Sequence, residues 1–318
     1  MNDLISVIIP AYNSDKTIRK CLESVLSQSY EELEVIVIDD GSTDKTSDIV
    51  RSIMDTDSRI CYFHKNNGGQ SSARNLGLKN LSGKYFTFVD SDDYIKPEMI
   101  LRLYSLIIEK KADISMCGYS NICNNKIEYL HCDNIEIAGC DNVIKALLTE
   151  KIMAGPVCKL FSAKMFSQIQ FQEGIIFEDI EYLSRVFLKV NKIVSCNYAG
   201  YVYVIHPEST THSLFSKKHY DLLKVTDTIV NRITLTDFNC SKEIQCLQLT
   251  HYITFLNYVW GAKAQSKEKE NIDPLINWMK SNLAAIMSNN CISLKKKIAA
   301  IIYTINISCL NKLFVYLK

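Results

Sequence analysis

The chain has 318 residues, of which 47% are apolar and 22% charged, and its formal net charge at pH 7 is +1. This composition is that of a globular protein with a large core, and it excludes a disordered or low-complexity chain. The near-neutral charge also argues against a nucleic-acid-binding protein, whose affinity depends on lysines and arginines that neutralise phosphates.

Strand and helix patterns alternate over the first hundred residues. Apolar runs at 4–10, 33–38, 60–63 and 85–89 predict strands, and apolar residues at helical spacing follow each of the first three. Ser14 is predicted to cap the first helix. Because buried strands joined by crossover helices form parallel sheets, we expect an α/β fold with a Rossmann-like, mostly parallel sheet flanked by helices.

The pattern changes after residue 100. Strands are predicted at 112–119, 193–196 and 198–204, and helices at 142–148 and 180–188. Amphipathic helical runs then follow at 220–235, 243–262, 273–287 and 294–317. We therefore expect an α/β domain over residues 1–215 and a helical C-terminal region over residues 216–318.

A cluster of carboxylates, Asp90-Ser91-Asp92-Asp93, directly follows the fourth predicted strand. Mg²⁺ and Mn²⁺ take oxygen ligands, commonly one or two carboxylates with substrate phosphates completing the shell. The Asp-x-Asp spacing can aim two side chains at one ligand, so the loop suggests a metal-bound diphosphate. The alternative is an ordinary turn or helix cap, where Asp and Ser are also favoured.

Polar clusters follow the earlier predicted strands as well, at the carboxyl ends where parallel sheets bind ligands. The four clusters in chain order are Val7-Ile8-Ile9-Pro10-Ala11-Tyr12-Asn13, Asp39-Asp40-Gly41-Ser42-Thr43-Asp44, Gly69-Gln70-Ser71-Ser72-Ala73-Arg74-Asn75 and Asp90-Ser91-Asp92-Asp93. In this order and spacing the chain resembles family 2 glycosyltransferases of the GT-A fold, over residues 4 to about 212. The resemblance implies an enzyme that transfers a sugar, a hexose or an N-acetylhexosamine, from a UDP-sugar to a saccharide hydroxyl with inversion.

The resemblance implies a nucleotide-sugar site along these strand ends. Tyr12 would flank the nucleobase, and the backbone of Pro10 and Ala11 would approach it closely. Asp40 would accept a hydrogen bond from the uracil N–H, a donor that cytosine lacks at that position. The other implied contacts are those of Asn67 and Arg74 with the base, Asp90 with the ribose, Ser91 with the nucleotide sugar, and Asp92 with a Mn²⁺ or Mg²⁺ ion bridging the diphosphate.

Each of these side chains also has a structural explanation. Tyr12 can pack on the following helix, Asp40 can cap the helix that begins near 44, and Arg74 can pair with an acid. We favour a site because the residues occur together, at consecutive strand ends.

Glu178 and Asp179 match the place where this family carries a Glu-Asp pair, with Asp as the general base and Glu as a supporting acid. A carboxylate is too weak to deprotonate an alcohol in the ground state, so we expect proton transfer to lag until the sugar is oxocarbenium-like. Two adjacent acids that face a diphosphate also raise each other's pKa. The alternative is that both residues only start a helix, where acids favour the positive dipole end.

The chain departs from the family pattern at two positions. Val157 stands where members often have the Trp of Trp-x-Lys-Leu, which alters the acceptor side. Val204 stands where they often have the Arg of Tyr-x-Tyr-Arg, a residue expected to contact the diphosphate. The residues that we expect to supply donors instead are Ser209 and Thr211. His206 and His212 are further candidates, but for these histidines the favoured explanation is that they are exposed loop residues.

The C-terminus is the basic part of the chain. Residues 288–318 hold five lysines and no acid, which leaves a charge of −4 for the rest. Lys295–Lys297 precede the apolar run 298–305, which is too short to span a bilayer. Residues 294–318 therefore predict either an amphipathic helix on anionic lipid, which suits a lipid-linked acceptor, or a helix packed on the protein or on a second subunit of a homo-oligomer.

Twelve cysteines are scattered along the chain without a Cys-x-x-Cys pair or zinc-finger spacing. This favours reduced thiols in a cytosolic protein over a disulfide framework or zinc site. Residues 1–5 lead into the first strand without the pattern of a secretory signal. We expect a cytoplasmic protein, with attachment to the inner face of the cell membrane left open.

Two other functions remain open. One is a catalytically silent protein that binds a saccharide or nucleotide, which the Val204 departure keeps open. The other is a sugar-phosphate nucleotidyltransferase, although no Gly-rich basic triphosphate loop lies near Pro10. A dehydrogenase is disfavoured because Gly-x-Gly-x-x-Gly is absent after the first strand.

Overall fold

The computed structural model describes residues 3–123, 126–130, 133–205 and 215–305. The chain divides into two compact units, one formed by Met1–Ile144 with Ala154–Ser209 and the other by Lys145–Met153 with Thr210–Lys318. The predicted division at residue 215 did not include the short segment Lys145–Met153, which joins the helical unit although no sequence pattern separates it from its neighbours.

The N-terminal half of the first unit is the regular alternation that the sequence predicts. Its strands are β1 (Ile5–Ala11), β2 (Leu33–Asp39), β3 (Ile60–His64) and β4 (Tyr85–Phe88), and the helices between them are α1 (Ile18–Leu26), α2 (Thr46–Met54) and α3 (Gln70–Asn80). The four strands pair in the order β3-β2-β1-β4 and all run parallel. Every residue of β1 is buried, as expected of a central strand covered on both faces.

The second half of this unit extends the same sheet with strands that do not pair in the order in which they occur in the chain. Its strands are β5 (Tyr94–Ile95), β6 (Ile114–Cys123), β7 (Lys126–Leu130), β8 (Glu136–Ala138), β9 (Lys159–Ser162) and β10 (Lys192–Val204), and its helices are α4 (Met99–Lys110), α6 (Ala163–Phe166) and α7 (Glu178–Phe187). Helix α5 (Cys140–Leu148) begins in this unit, and its residues from Lys145 onward belong to the other unit. The order continues β4-β9-β6-β10-β5, with β7 on β6 and β8 on β10.

The sheet is mostly parallel, as predicted. Strands β1–β4, β6 and β10 run in one direction, and the short strand β9 lies antiparallel between β4 and β6. The two strands predicted at 193–196 and 198–204 are a single strand, β10, whose pairing with β6 shifts register around Ala199. A register shift of this kind bends a strand without ending it.

The second unit is helical. It contains a 3₁₀ turn (Lys217–Tyr220) and the helices α8 (Asp221–Thr234), α9 (Ser241–Gly261), α10 (Lys269–Ser281), α11 (Leu283–Ser288) and α12 (Leu294–Ile305). The run predicted at 273–287 is two helices, α10 and α11. In the described ranges, no helix has the length and apolar character needed to cross a membrane.

Helix α12 packs on the protein through one face. Ala300 and Tyr303 are buried, and the Tyr303 hydroxyl donates to Asn257 Oδ1 at 2.7 Å. The remainder of the predicted 294–317 helix, beyond residue 305, lies outside the described residues.

Ser14 does not cap α1 through its side chain, so that prediction was wrong. Thr17 is the N-cap and makes no side-chain capping bond, whereas the Ser14 carbonyl accepts the Ile18 N–H at 2.9 Å. The Ser14 hydroxyl lies instead 2.8 Å from the Ser91 hydroxyl. Ser14 thus ties the segment after β1 to the acidic loop after β4.

Candidate active site

The polar segments that follow β1, β2 and β4 meet at one edge of the sheet. Ala11 and Asp39 are register partners at the ends of β1 and β2, and the Asp40 N–H donates to the Ala11 carbonyl at 2.8 Å. Gln70, at the start of α3, donates from Nε2 to Asp90 Oδ1 at 3.1 Å. The structure therefore brings together the four clusters that the sequence analysis identified separately.

Arg74 is the centre of this edge. Its side chain is 1% exposed, and its guanidinium donates to Asp179 Oδ1 at 2.7 Å, Glu178 Oε1 at 3.3 Å and Asp90 Oδ1 at 3.1 Å. The guanidinium carbon also lies 5.2 Å from the centre of the Phe171 ring. One buried cation thus joins α3, the acidic loop and the start of α7, and it faces three carboxyl groups, more than a single positive charge balances when they ionise.

Our prediction for Arg74 was contact with the nucleobase. The observed geometry matches the other explanation that the sequence left open, which was pairing with acids. Within the described residues, Arg74 Nε is also buried without a hydrogen-bond partner. An unpaired buried N–H lowers the stability of the folded protein. Contact between Arg74 and the base remains a prediction.

Glu178 and Asp179 begin α7, and Phe177 before them has a left-handed backbone with φ 65°. Burial raises the pKa of Asp179 to about 7; Arg74 opposes this rise, and Glu178 and Asp90 add to it. Solvent reaches 37% of the Asp179 side chain and 15% of Glu178. That exposure limits the effect of burial, and it leaves Asp179 accessible to a substrate.

Asp40 organises the loop before α3. Its side chain is 4% exposed and accepts hydrogen bonds from the Gly68 N–H at 3.0 Å, the Gly69 N–H at 2.7 Å and the Lys65 ammonium. The alternative in which Asp40 caps the next helix is not observed, since Asp44 accepts the Thr46 N–H at 2.9 Å.

Gly41 lets the segment after β2 lie close to the backbone of the loop before α3. Its φ is +80°, and a Cβ there would lie 2.8 Å from the Asn67 backbone nitrogen. The side chain of Asn67 is exposed on the loop held in this way. Any other residue at 41 would displace the loop that carries Asn67.

The residues at the end of β1 differ in burial, and their contact with a nucleobase remains a prediction. Pro10 and Ala11 are buried in the strand, and Tyr12 directly after them is 51% exposed, so Tyr12 is not packed away on the helix. Asn13 Oδ1 accepts the Thr43 N–H at 2.8 Å, which fixes this segment to the loop after β2. An exposed ring beside two fixed loops can stack on a base.

Asp39, to which the sequence assigned no role, lies beneath the candidate site and holds the end of β2 in place. It is fully buried and accepts hydrogen bonds from Tyr62 Oη at 2.6 Å, the Ser42 N–H at 2.8 Å and the His64 ring at 3.2 Å. Burial opposes ionisation of Asp39, but these bonds together lower its pKa. Side chains alternate between the two faces of a strand, so Asp39 and Asp40 point to opposite sides. This alternation was the sequence signal that could have assigned the two acids different positions.

The acidic loop divides its side chains between exposed and buried positions. Asp90 and Asp92 lie on the outside, with Asp90 21% exposed and Asp92 exposed, whereas Ser91 is buried against Ser14. Asp93 is 2% exposed, and burial, with Asp90 next, raises its pKa to about 8. Its carboxylate accepts hydrogen bonds from two residues of β10, which no local sequence signal indicated.

The carboxylates suit a cation that arrives with a phosphate ligand. In the part of the chain that the structure describes, no group of three or more His, Cys, Asp or Glu side chains is arranged to hold a metal. Mg²⁺ and Mn²⁺ are commonly bound through one or two carboxylates together with substrate phosphates, and an exposed Asp92 beside a cluster with surplus negative charge fits that mode.

The positions of the two departures are also defined. The Val204 N–H donates to Asp93 at 2.8 Å. Lys159, which follows Val157 and Cys158, is buried, and its ammonium donates to the Gly155 carbonyl at 2.6 Å. The four residues predicted to replace the missing Arg, which are Ser209, Thr211, His206 and His212, lie outside the described residues.

A mostly parallel sheet with polar clusters at the carboxyl ends of its strands, and an acidic pair at the start of α7, is the arrangement expected of a GT-A glycosyltransferase. Residues 6–170 match the family described as Glycosyl transferase family 2, and the chain belongs to this family.

Two pneumococcal proteins are among its relatives. The glycosyltransferase GlyA of Streptococcus pneumoniae is 34% identical over 247 residues, which cover 74% of this chain and 35% of GlyA. The glycosyltransferase GlyG of the same organism is 34% identical over 218 residues, which cover 64% of this chain and 71% of GlyG. The matched region is thus about a third of GlyA and most of GlyG.

Solved structures share the fold. TarS 1–349 of S. aureus, in complex with UDP-GlcNAc, superposes with a TM-score of 0.69 at 21% identity and covers 98% of this chain and 91% of its own. The mannosyltransferase PcManGT of Pyrobaculum calidifontis, in complex with GDP-Man and Mn²⁺, gives 0.56 at 14% identity, with coverage of 96% and 87%. The fold of this chain is therefore that of the GT-A glycosyltransferases.

Proposed function

We propose that this protein transfers a sugar from a UDP-sugar to a hydroxyl group of a saccharide, with inversion, and that Asp179 is the general base. One observation carries the proposal. The buried Arg74 guanidinium bonds Asp179 at 2.7 Å and Asp90 at 3.1 Å, which places the acid on α7 beside the loop that follows β4. A base and a diphosphate-binding loop must be neighbours for this reaction.

The preference for UDP rests on Asp40 and Tyr12. A carboxylate offers about four acceptor positions, and Asp40 uses three of them on the loop of Lys65, Gly68 and Gly69. The remaining position suits the uracil N–H, while the exposed Tyr12 ring covers the base and Asn67 lies nearby. The UDP-GlcNAc complex of TarS, which has the same fold, supports this choice of donor.

The reaction is a single displacement. The acceptor oxygen forms a bond to the anomeric carbon while the bond from that carbon to the diphosphate oxygen breaks, and UDP leaves. The hydroxyl proton passes to the Asp179 carboxylate as the sugar becomes oxocarbenium-like. Because the attack comes from the face opposite the leaving group, an α-linked donor gives a β-linked product.

Arg74 and Glu178 set the state of the base. The hydrogen bond from Arg74 fixes the Asp179 carboxylate in orientation, while burial, with Glu178 adding to it, raises the pKa of Asp179 above that of an exposed Asp. Asp179 must be ionised to accept a proton, so catalysis requires a pH near or above its pKa.

Asp92 would hold Mn²⁺ or Mg²⁺ together with the donor phosphates. Such an ion supplies the positive charge that stabilises a leaving diphosphate. The surplus of negative charge around Arg74 matches a divalent cation, and PcManGT, a protein of the same fold, is described with Mn²⁺.

The acceptor proposal is a lipid-linked saccharide at the cytoplasmic face of the membrane, as in synthesis of a bacterial surface polysaccharide. Helix α12 supports it: Leu294, Ile298 and Ile305 lie on one face and are 70%, 43% and 75% exposed, and the exposed Lys295 adds charge complementary to anionic lipid. The diphosphate contacts of Ser209 and Thr211 remain predictions.

A catalytically silent binding protein is the second candidate, because Val204 replaces an Arg that would contact the diphosphate. In this case the protein would bind UDP-sugars without releasing UDP.

UDP release separates these functions. We would incubate the protein with a panel of UDP-sugars and extracted lipid-linked saccharides, with Mn²⁺ or with EDTA, and use GDP-mannose as the donor control. UDP release that needs acceptor and Mn²⁺ is the expected result. Tight UDP binding without release on any acceptor would support the silent protein, and turnover of GDP-mannose alone would contradict the UDP preference.

A further inference from the structure

A buried tyrosine on β10 is bonded to both ends of the acidic loop. Tyr201 is fully buried; its hydroxyl donates to Asp93 Oδ2 at 2.7 Å and accepts the Asp90 N–H at 3.1 Å. The Asp93 N–H in turn donates to the Asp90 carbonyl at 3.1 Å, which closes a turn. Asp92 is the exposed residue of this turn.

The rest of β10 keeps the tyrosine in place. The Val204 N–H donates to Asp93 Oδ1 at 2.8 Å, so Asp93 is bonded to β10 through both carboxylate oxygens. On the other side, the Lys96 N–H donates to the Gly200 carbonyl at 2.7 Å, and a Cβ at Gly200 would lie 2.8 Å from Met99 Cγ. Strand β10 therefore packs closely against the segment that follows the acidic loop.

We infer that Tyr201 is a positioning residue whose hydroxyl, through Asp93 and the Asp90 amide, holds the acidic loop in the shape that presents Asp92 to a metal-bound diphosphate. The inference rests on the proposed function. No step of the proposed reaction uses the Tyr201 hydroxyl, and a Phe would fill the same apolar volume, so the bonds from the hydroxyl to the loop give the polar group its role.

Tyr201→Phe tests the inference, and Tyr182→Phe is the matched control. Tyr182 is also fully buried in this unit, but its hydroxyl has no hydrogen-bond partner in the described residues. Each variant loses one buried hydroxyl and nothing else. The probes are UDP and Mn²⁺, and the measurement is the UDP dissociation constant by titration calorimetry in Mn²⁺ and in EDTA, with the thermal midpoint recorded alongside.

In the wild type and in Tyr182→Phe we expect Mn²⁺ to tighten UDP binding by the same factor. In Tyr201→Phe we expect that factor to fall by about tenfold, the size of the two hydrogen bonds lost with the hydroxyl, with affinity in EDTA unchanged within about twofold. If Tyr201 had a purely structural role, Tyr201→Phe would lower the thermal midpoint but would not change the factor by which Mn²⁺ tightens UDP binding. This outcome would overturn the inference.

Failure of the proposed function gives a different result. If wild-type UDP binding does not respond to Mn²⁺ at all, the metal-dependent function is wrong. If the wild type responds and Tyr201→Phe responds equally, only the role of Tyr201 is wrong.

Discussion

At the scale of single residues, the site depends on Arg74, one cation that forms ion pairs with three acids. Arg74 is buried, so its bonds to Asp90, Glu178 and Asp179 are weakly screened by water. An arginine suits this place better than a lysine because its planar group donates in several directions at once. The same residue therefore contributes to stability and fixes the proposed base.

Replacing Arg74 should destabilise the fold strongly. Arg74→Ala leaves three acids facing each other, and removing one partner of a buried ion pair costs about 3–5 kcal/mol. The free energy of unfolding, from urea titration, measures this loss. The matched control is Arg102→Ala, because Arg102 is 50% exposed in its pair with Glu98 and should cost about 1 kcal/mol or less. Equal losses in the two variants would contradict a central role for Arg74.

The pKa of Asp179 predicts how transfer depends on pH. Since the base acts in its ionised form and its pKa is raised to about 7, the rate should increase with pH and level off above neutrality. The measurement is the initial rate of UDP release from pH 5 to 9 at saturating donor, acceptor and Mn²⁺. A rate that stays constant down to pH 5, where Asp179 would be largely protonated, would exclude it as the base.

At the scale of elements, α3 must lie close to β1 to bring Arg74 over the strand ends. Gly77 allows this approach, because a Cβ there would lie 2.4 Å from Ile8 Cγ2. A helix with an ordinary side chain at this position would be pushed away from the sheet, and Arg74, one turn earlier on the same helix, would move with it.

Gly77→Ala should therefore destabilise the protein by about 1–3 kcal/mol, the usual cost of overpacking a tight core. The control is Gly261→Ala at the end of α9, where a Cβ would meet nothing within 4 Å. That change should be neutral or stabilising by up to about 1 kcal/mol, since alanine favours helices. Urea unfolding of both variants checks the pair, and an unaffected Gly77→Ala would contradict the close approach.

The elements also show what the sequence could predict. Strands β1–β4 and helices α1–α3 carry strong local periodicity, and their predicted positions agree with the structure to within a few residues. Strands β5, β7, β8 and β9 were not predicted, because they are short and depend on pairing with distant strands. The antiparallel insertion of β9 has no local signal at all.

The site shows the same limit. The four clusters are local patterns and could be identified from sequence. The bonds of Asp93 to Tyr201 and Val204 join residues more than a hundred positions apart, and nothing near Asp93 distinguishes it from its neighbours. Likewise, the pairing of Arg74 with Asp179 was only one of several explanations until the fold placed α7 beside α3.

At the scale of the whole molecule, the sheet-based unit carries the proposed chemistry and the helical unit carries the basic segment. In the described part of α12, one face is buried through Ala300 and Tyr303, and the opposite side exposes Leu294, Ile298 and Ile305. The structure thus shows packing of one face of this helix on the protein, and contact of the exposed face with a membrane remains a prediction.

Vesicle binding tests the membrane part of the proposal. We expect the protein to co-sediment with vesicles rich in anionic lipid, and to be released by high salt because lysines supply part of the attraction. Zwitterionic vesicles are the control and should bind it more weakly. Lys295→Glu should reduce binding to the anionic vesicles. Equal partitioning to both vesicle types, or none, would contradict a charge-assisted membrane surface.

The most direct test of the central claim is Asp179→Asn. Asparagine keeps the size of the side chain and an oxygen that can accept the bond from Arg74, but it cannot take a proton from the acceptor. We expect sugar transfer to fall by about 10²-fold or more, while the UDP dissociation constant in Mn²⁺ changes by no more than about threefold. Transfer at the wild-type rate by Asp179→Asn would show that another group accepts the proton.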